Sequence, residues 1–152
     1  MTQQFSDASG AVPVPPFPPD MQVAALCWRK HKGRTEVLLI TSRDTGRWIV
    51  PKGWPINGLN APQSALREAW EEAGVRADAE QALYVGQFCY DKLLANGQEL
   101  PVRALLYKIR LRSQEITNRY PESHERKRLW VTPLKAAKLV QEPELQEILR
   151  SL

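Results

Sequence analysis

The 152-residue sequence predicts an α+β sandwich, with a mixed β-sheet held between helices. Three observations carry this. Short apolar, β-branched runs of strand character lie on both sides of one amphipathic helical segment, with no internal repeat. Glycine- and asparagine-containing turns join neighbouring runs, Asn96-Gly97 being the strongest hairpin signal. Two closing segments each begin with a proline suited to a first helical turn. With 43% hydrophobic and 25% charged residues, the chain has the balance of one globular domain with one core.

Residues 1–20 read as a separate arm and 21–152 as the domain. Five of the 12 prolines fall in residues 12–19, and proline fixes φ and offers no donor, which predicts an extended polyproline-like strap or linker. Gln22–Arg29 and Thr35–Thr41 then read as a hairpin across the polar Lys30–Arg34 turn. Trp48-Ile49-Val50 is a short strand ended by Pro51, and Lys52–Asn60 is a turn-rich stretch. Asn60 is placed to cap a helix over Ala61–Ala73, which Gly74 stops. Leu83–Leu94 and Val102–Leu111 form the hairpin around Asn96-Gly97. Arg119–Arg128 is a charged loop, Leu129-Trp130-Val131 a short strand, and Pro133–Val140 and Pro143–Leu152 the closing helices.

No apolar run approaches the roughly 20 residues of a membrane span, and the N-terminus lacks the pattern of a secretory signal. Cys27 and Cys89 lie in apolar segments, so the expectation is two buried free thiols and a cytoplasmic location. The formal net charge is +4. Asp7 and Asp20 are the acids of residues 1–20, which hold no Lys or Arg, so the domain carries 21 bases against 15 acids, a net of +6. A basic domain points to an anionic partner: a nucleic acid, a membrane surface or a small polyphosphate. Arg126-Lys127-Arg128 is a basic cluster, but the sequence shows no nucleic-acid motif and no interleaved aromatics, so nucleic acid ranks last.

The predicted helix places Leu66, Ala69, Trp70 and Ala73 on one face, toward the sheet, and Glu68, Glu71 and Glu72 on the other beside Arg67. Glu68 and Glu72 are neighbours at a spacing of four, a like-charge pair that costs a helix about 0.2–0.5 kcal/mol unless neutralised. Arg67 reaches Glu71, whereas Glu68 and Glu72 have no basic partner within the helix. A divalent cation would supply the charge, and hard oxygen ligands select Mg²⁺, with Mn²⁺ as the alternative. A solvated glutamate face is the competing reading.

The preceding loop decides between them. From Gly53 to Val75 the chain resembles the Nudix box: a glycine, five residues, Glu, seven residues, Arg-Glu, an aliphatic, any residue, Glu-Glu, any residue, Gly and an aliphatic. Gly53, Arg67, Glu68, Glu71, Glu72, Gly74 and Val75 all match. The six strict matches would coincide by chance on the order of once in ten million starts. One position departs, Leu59 standing where the box has Glu. Val23–Trp28, Val37–Ser42, Arg47–Pro51 and Arg126–Trp130 extend the resemblance to the diphosphoinositol polyphosphate and diadenosine polyphosphate hydrolase branch of the family.

The resemblance implies a Nudix-type α/β/α sandwich and a Mg²⁺-dependent phosphoanhydride hydrolase acting on a (di)nucleoside polyphosphate or related diphosphate; the alternative is a non-catalytic module that binds a phosphorylated ligand. It implies Glu68 and Glu72 as metal ligands, with the Lys52 carbonyl as a further one. Glu71 is implied as proton acceptor, base and ligand being exchangeable among these acids. Thr41, Ser42, Arg43, Arg126 and Lys92 are implied as substrate contacts, and Gly53, Arg67 and Gly74 as structural motif residues. Glu125 is a minor candidate for an extra ligand or base. Trp48 and Trp54 flank the loop as packing residues or stacking platforms. The inositol-type enzymes have a basic cluster before the first strand; here that stretch is Asp20-Met21-Gln22, which favours a less densely charged substrate such as a dinucleoside polyphosphate.

Overall fold

The computed structural model describes residues 19–152; the arm expected over residues 1–20 lies, as far as residue 18, outside the described residues. Seven strands and three helices follow one another as β1 (Met21–His31), β2 (Arg34–Thr41), β3 (Trp48–Ile49), β4 (Lys52–Gly53), α1 (Ala61–Ala73), β5 (Ala82–Leu93), β6 (Glu99–Arg110), β7 (Arg128–Val131), α2 (Pro133–Leu139) and α3 (Pro143–Arg150). The strands form one sheet in the order β3-β2-β1-β6-β5, with β4 also pairing β1 and β7 also pairing β2. β1 and β6 are parallel and the other pairings antiparallel, so the sheet is mixed as expected.

β1 is the spine. Val23, Ala24, Ala25, Leu26 and Cys27 are five consecutive fully buried residues. A strand with one wet face alternates; an unbroken buried run means that both faces are covered. α1 packs on β1, β4 and β6, while α2 and α3 pack on each other and reach β2 and β5. The core joins Leu38, Ile40, Leu66, Ala69, Phe88, Leu106, Leu145 and Leu149 around β1.

α1 has the predicted bounds. Asn60 accepts from the Gln63 N–H and Gln63 reaches back to the Asn60 N–H, a reciprocal cap at 2.9 Å each way. Gly74 ends the helix at φ 74°, and a Cβ there would meet the Thr117 carbonyl at 2.5 Å. Three expectations are corrected. Lys52-Gly53 is a short strand rather than a turn, because it pairs with Ala24 and Val23 of β1. Trp70 is half-buried outside the core, with the Arg76 guanidinium 4.4 Å over its ring. Cys89 is exposed, since it alternates outward on the edge strand β5; Cys27 is buried, and both thiols are free. No described helix is long and apolar enough to cross a membrane.

Candidate active site

The site forms where β4 crosses α1. The Lys52 N–H donates to Glu72 Oε1 at 3.2 Å, tying strand to helix. Beside it the Glu68 carboxyl lies against the Gly53 backbone, so closely that a Cβ on Gly53 would fall 2.4 Å from Glu68 Cδ. Only glycine leaves room for this carboxyl, a steric reason for the residue in place of a generic turn role.

Glu68 and Glu72 are one helical turn apart and line the same cleft. Burial, and then the charge of Glu72, push the Glu68 carboxyl up to about 8. Burial also raises Glu72, opposed by the Arg126 charge and the Lys52 N–H. The pair is therefore short of positive charge. Two adjoining, half-desolvated carboxylates fit a hard divalent cation. Among the described residues no three His, Cys, Asp or Glu stand in cage geometry. A cation that keeps several waters needs only one or two carboxylates, the remainder of its shell coming from substrate oxygens.

A third segment closes the site. Arg126 is nearly buried and reaches three partners: Glu122 Oε1 at 2.7 Å, Glu72 Oε2 at 3.4 Å and the Thr41 carbonyl at 3.1 Å. The Glu122 N–H donates to the Glu71 carbonyl, holding this loop on α1. Arg128 donates to the Ala73 and Thr117 carbonyls and anchors the same loop at the helix end.

These residues line a cleft of about 840 Å³ in which acids and bases stand side by side. Glu68, Glu71, Glu72 and Glu122 make its acidic wall; Arg43, Arg47, Lys52, Lys92 and Arg126 make a basic wall that adjoins it, Arg126 touching Glu72 and Glu122. Of the residues expected at the site, the structure brings together the three glutamates, Lys52, Gly53, Ser42, Arg43, Lys92 and Arg126. Arg43 also pairs with Glu125 at 2.9 Å on the surface. Ser42 Oγ is engaged with Thr45 Oγ1 at 2.7 Å and the Arg47 N–H at 3.2 Å. Thr41 stands outside the cleft, its hydroxyl accepting from the Lys127 N–H at 2.9 Å, so its polar groups brace the 126–127 backbone instead of facing a ligand. Arg67 lines a depression on the outer side of α1 with Leu59, Gln63 and Trp70. Leu59 thus departs from the box on the side away from the carboxylates.

Sequence reasoning missed two cleft side chains. Lys52 was read for its carbonyl only; its Nζ lies 4.6 Å over the Tyr90 ring. Burial pulls this ammonium down to about 8, with the Glu72 charge pushing back. Arg47 joins the basic wall, held at 2.7 Å by the buried Glu142 at the start of α3. The signal for Lys52 was its place beside Gly53; for Arg47 nothing local pointed to Glu142.

A mixed-sheet α+β domain whose one long helix offers adjoining carboxylates to a basic-walled cleft is the class defined here. The NUDIX domain model matches residues 20–152, and the chain belongs to the Nudix family. It is 33% identical over 129 residues to "Nudix hydrolase 21, chloroplastic" of Arabidopsis thaliana, covering 82% of this chain and 60% of that protein. It is 36% identical over 64 residues to mouse diphosphoinositol polyphosphate phosphohydrolase 3-alpha, covering 42% of this chain and 39% of that protein. The matched part thus spans less than two thirds of each relative's length. Among solved structures, a C. elegans Ap4A hydrolase aligns with TM-score 0.58 and 26% identity over 86% of this chain and 92% of that one. The NUDIX domain of Shewanella oneidensis NrtR aligns with TM-score 0.60 at 16% identity, over 97% and 93% respectively, a likeness of fold.

Proposed function

We propose that the domain hydrolyses a phosphoanhydride bond in a dinucleoside polyphosphate or related diphosphate, with Mg²⁺ as cofactor. The observation that carries this is one cleft lined both by the adjoining Glu68–Glu72 pair and by Arg43, Lys52, Lys92 and Arg126. The acids would hold the cation while the bases meet phosphate oxygens, arginine by bidentate contact. When bound, the cation supplies charge neutralisation at phosphorus-bound oxygens and lowers the pKa of water. Glu68 and Glu72 would ligate it, with the Lys52 carbonyl adjoining. Glu71, on the same wall and held in place by the bond from the Glu122 N–H to its carbonyl, would accept the proton of the attacking water. Trp54, exposed at the rim, offers a face to a nucleobase.

Two features support the less densely charged substrate. The likeness to an Ap4A hydrolase runs over nearly that whole chain. Before β1, where a basic cluster would serve an inositol pyrophosphate, Asp20 instead pairs with Arg103 at 3.0 Å and cancels a base. The non-catalytic alternative rests on Leu59 and on the proline arm; Leu59 lies away from the cleft and removes no ligand from it, and the arm falls outside the described residues.

The test is turnover of dinucleoside polyphosphates, nucleotide sugars and inositol pyrophosphates with and without Mg²⁺. Metal-dependent turnover, preferring the dinucleoside class, is expected. Glu72→Gln is expected to lower kcat at least about a hundredfold. Full activity in chelator, or an unaffected Glu72→Gln, refutes the mechanism; tight nucleotide binding with no turnover establishes the alternative.

A further inference from the structure

The end of the sheet remote from the cleft has a different character. β1 starts beside the site, Val23 and Ala24 pairing with Gly53 and Lys52, and runs seven residues further to His31. At about 3.3 Å per residue that is about 23 Å. Around this far end stand Arg29, Lys30, Lys32, Arg34, Lys108, Arg110 and Arg112. Among the described residues Glu36 pairs with Arg29, Glu115 pairs with Arg112, and Asp78 lies near Arg112, whereas no ion pair joins Lys30, Lys32, Arg34, Lys108 or Arg110 to an acid within 4.0 Å.

Aromatic rings are built into this cluster by strand pairing. Trp28 lies opposite Arg110 in the parallel register of β1 and β6, and the Arg110 guanidinium sits 5.0 Å over its ring, with Lys108 Nζ at 5.8 Å. On the other face of the sheet Arg29 lies 4.1 Å over Trp130. Beside Arg29 and Trp130 is a depression of about 490 Å³ that His31, Arg110, Arg112 and Gln114 also line. Tyr84, exposed on the edge strand β5, pairs with Tyr107 and adds a ring on the Trp130 face of the sheet, opposite Trp28.

We propose that this end of the sheet binds single-stranded nucleic acid, independently of the cleft. Lys30, Lys32 and Arg34, exposed on the β1–β2 turn, would track successive phosphates. Arg110, over the Trp28 ring and open to solvent, would present its outer face to a base, the stacking that sequence-tolerant single-strand binding uses. A concentration of like charge with few local counterions is unfavourable to the free fold and is relieved by a polyanion. An anionic membrane fits less well, because Leu83 is the one exposed aliphatic bordering the patch and insertion needs more.

The test uses the full chain and a fluorescently labelled single-stranded RNA of about 20 nucleotides, followed by anisotropy across a salt series. Binding is expected to weaken with salt, with a log–log slope of magnitude about 2–4 for three to five phosphate contacts. The triple variant K30E/K32E/R110E is expected to lose at least about tenfold in affinity, with unchanged thermal stability and unchanged cleft turnover. The proposal is overturned by no binding at low salt, by salt-insensitive binding, or by full binding in the folded triple variant. It is also overturned if inorganic polyphosphate competes as well as RNA at equal phosphate concentration, or if vesicles with anionic lipid bind and RNA does not.

Discussion

Gly53 and Glu68 are a matched pair: the absence of one methyl group decides where one carboxyl sits. Gly53→Ala would force the Glu68 head group aside while leaving the backbone unstrained. Its expected signature is a divalent-ion Kd raised at least about tenfold, with the unfolding free energy changed by less than about 1 kcal/mol. Unchanged Mn²⁺ affinity by titration calorimetry would show that the contact does not set the ligand position. Glu68 also makes the metal-free protein pH-sensitive. Its folded pKa of about 8 lies above its ordinary carboxylate value, so between the two the folded state holds a proton that the unfolded state has released. The stability this contributes is complete at low pH and lost as pH rises toward about 8. In chelator, Tm is expected to fall over that window, and Glu68→Gln to flatten the fall; a cation competes with the proton and should bind more tightly as pH rises. A Tm independent of Glu68 would contradict the raised pKa. The glutamates were legible because i, i+4 spacing is local geometry. The Lys52 side chain was not, because its burial against Tyr90 depends on strand pairing distant in sequence.

At the scale of elements, α1 was readable to the residue, since Asn60, Gln63 and Gly74 specify its ends by local hydrogen bonds and backbone conformation. The β1–β2 and β5–β6 hairpins were readable as pairs, each from two strand-like runs around a turn, with strand ends placed within three residues. β4 was not: two residues have no periodicity, and only the ladder to β1 makes them a strand. Trp70 misled because its helical angle groups it with Leu66, Ala69 and Ala73, whereas at the edge of that face it lies half-buried with Arg76 over its ring. On that side Leu59 and Arg67 line one depression. Leu59→Glu therefore introduces a partner for Arg67, expected to stabilise the fold by about 0.2–1 kcal/mol at low salt and to leave metal affinity unaltered. A tenfold change in metal affinity would mean that position 59 acts on the site through α1.

Across the whole molecule, the cleft depends on parts far apart in sequence. Arg47 of the basic wall is held by Glu142, which is 4% exposed, and Arg47 Nη1 and Glu142 Oε1 are buried without further hydrogen-bond partners. Glu142→Gln leaves a guanidinium without its counterion, so a loss of about 3–5 kcal/mol is expected in chemical denaturation, together with a weakened hold on the 42–47 turn. A cost near zero would mean that water replaces the carboxylate. The mixed sheet and its helices followed from the order of runs along the chain. The separation of charge between the two ends of β1 did not, because it arises from the parallel β1–β6 register. Arg126 has a consequence of another kind. Its guanidinium already sits between Glu72 and Glu122, so these two acids carry a resident positive charge of their own. The domain can then stand empty of a metal ion without these carboxylates driving it apart.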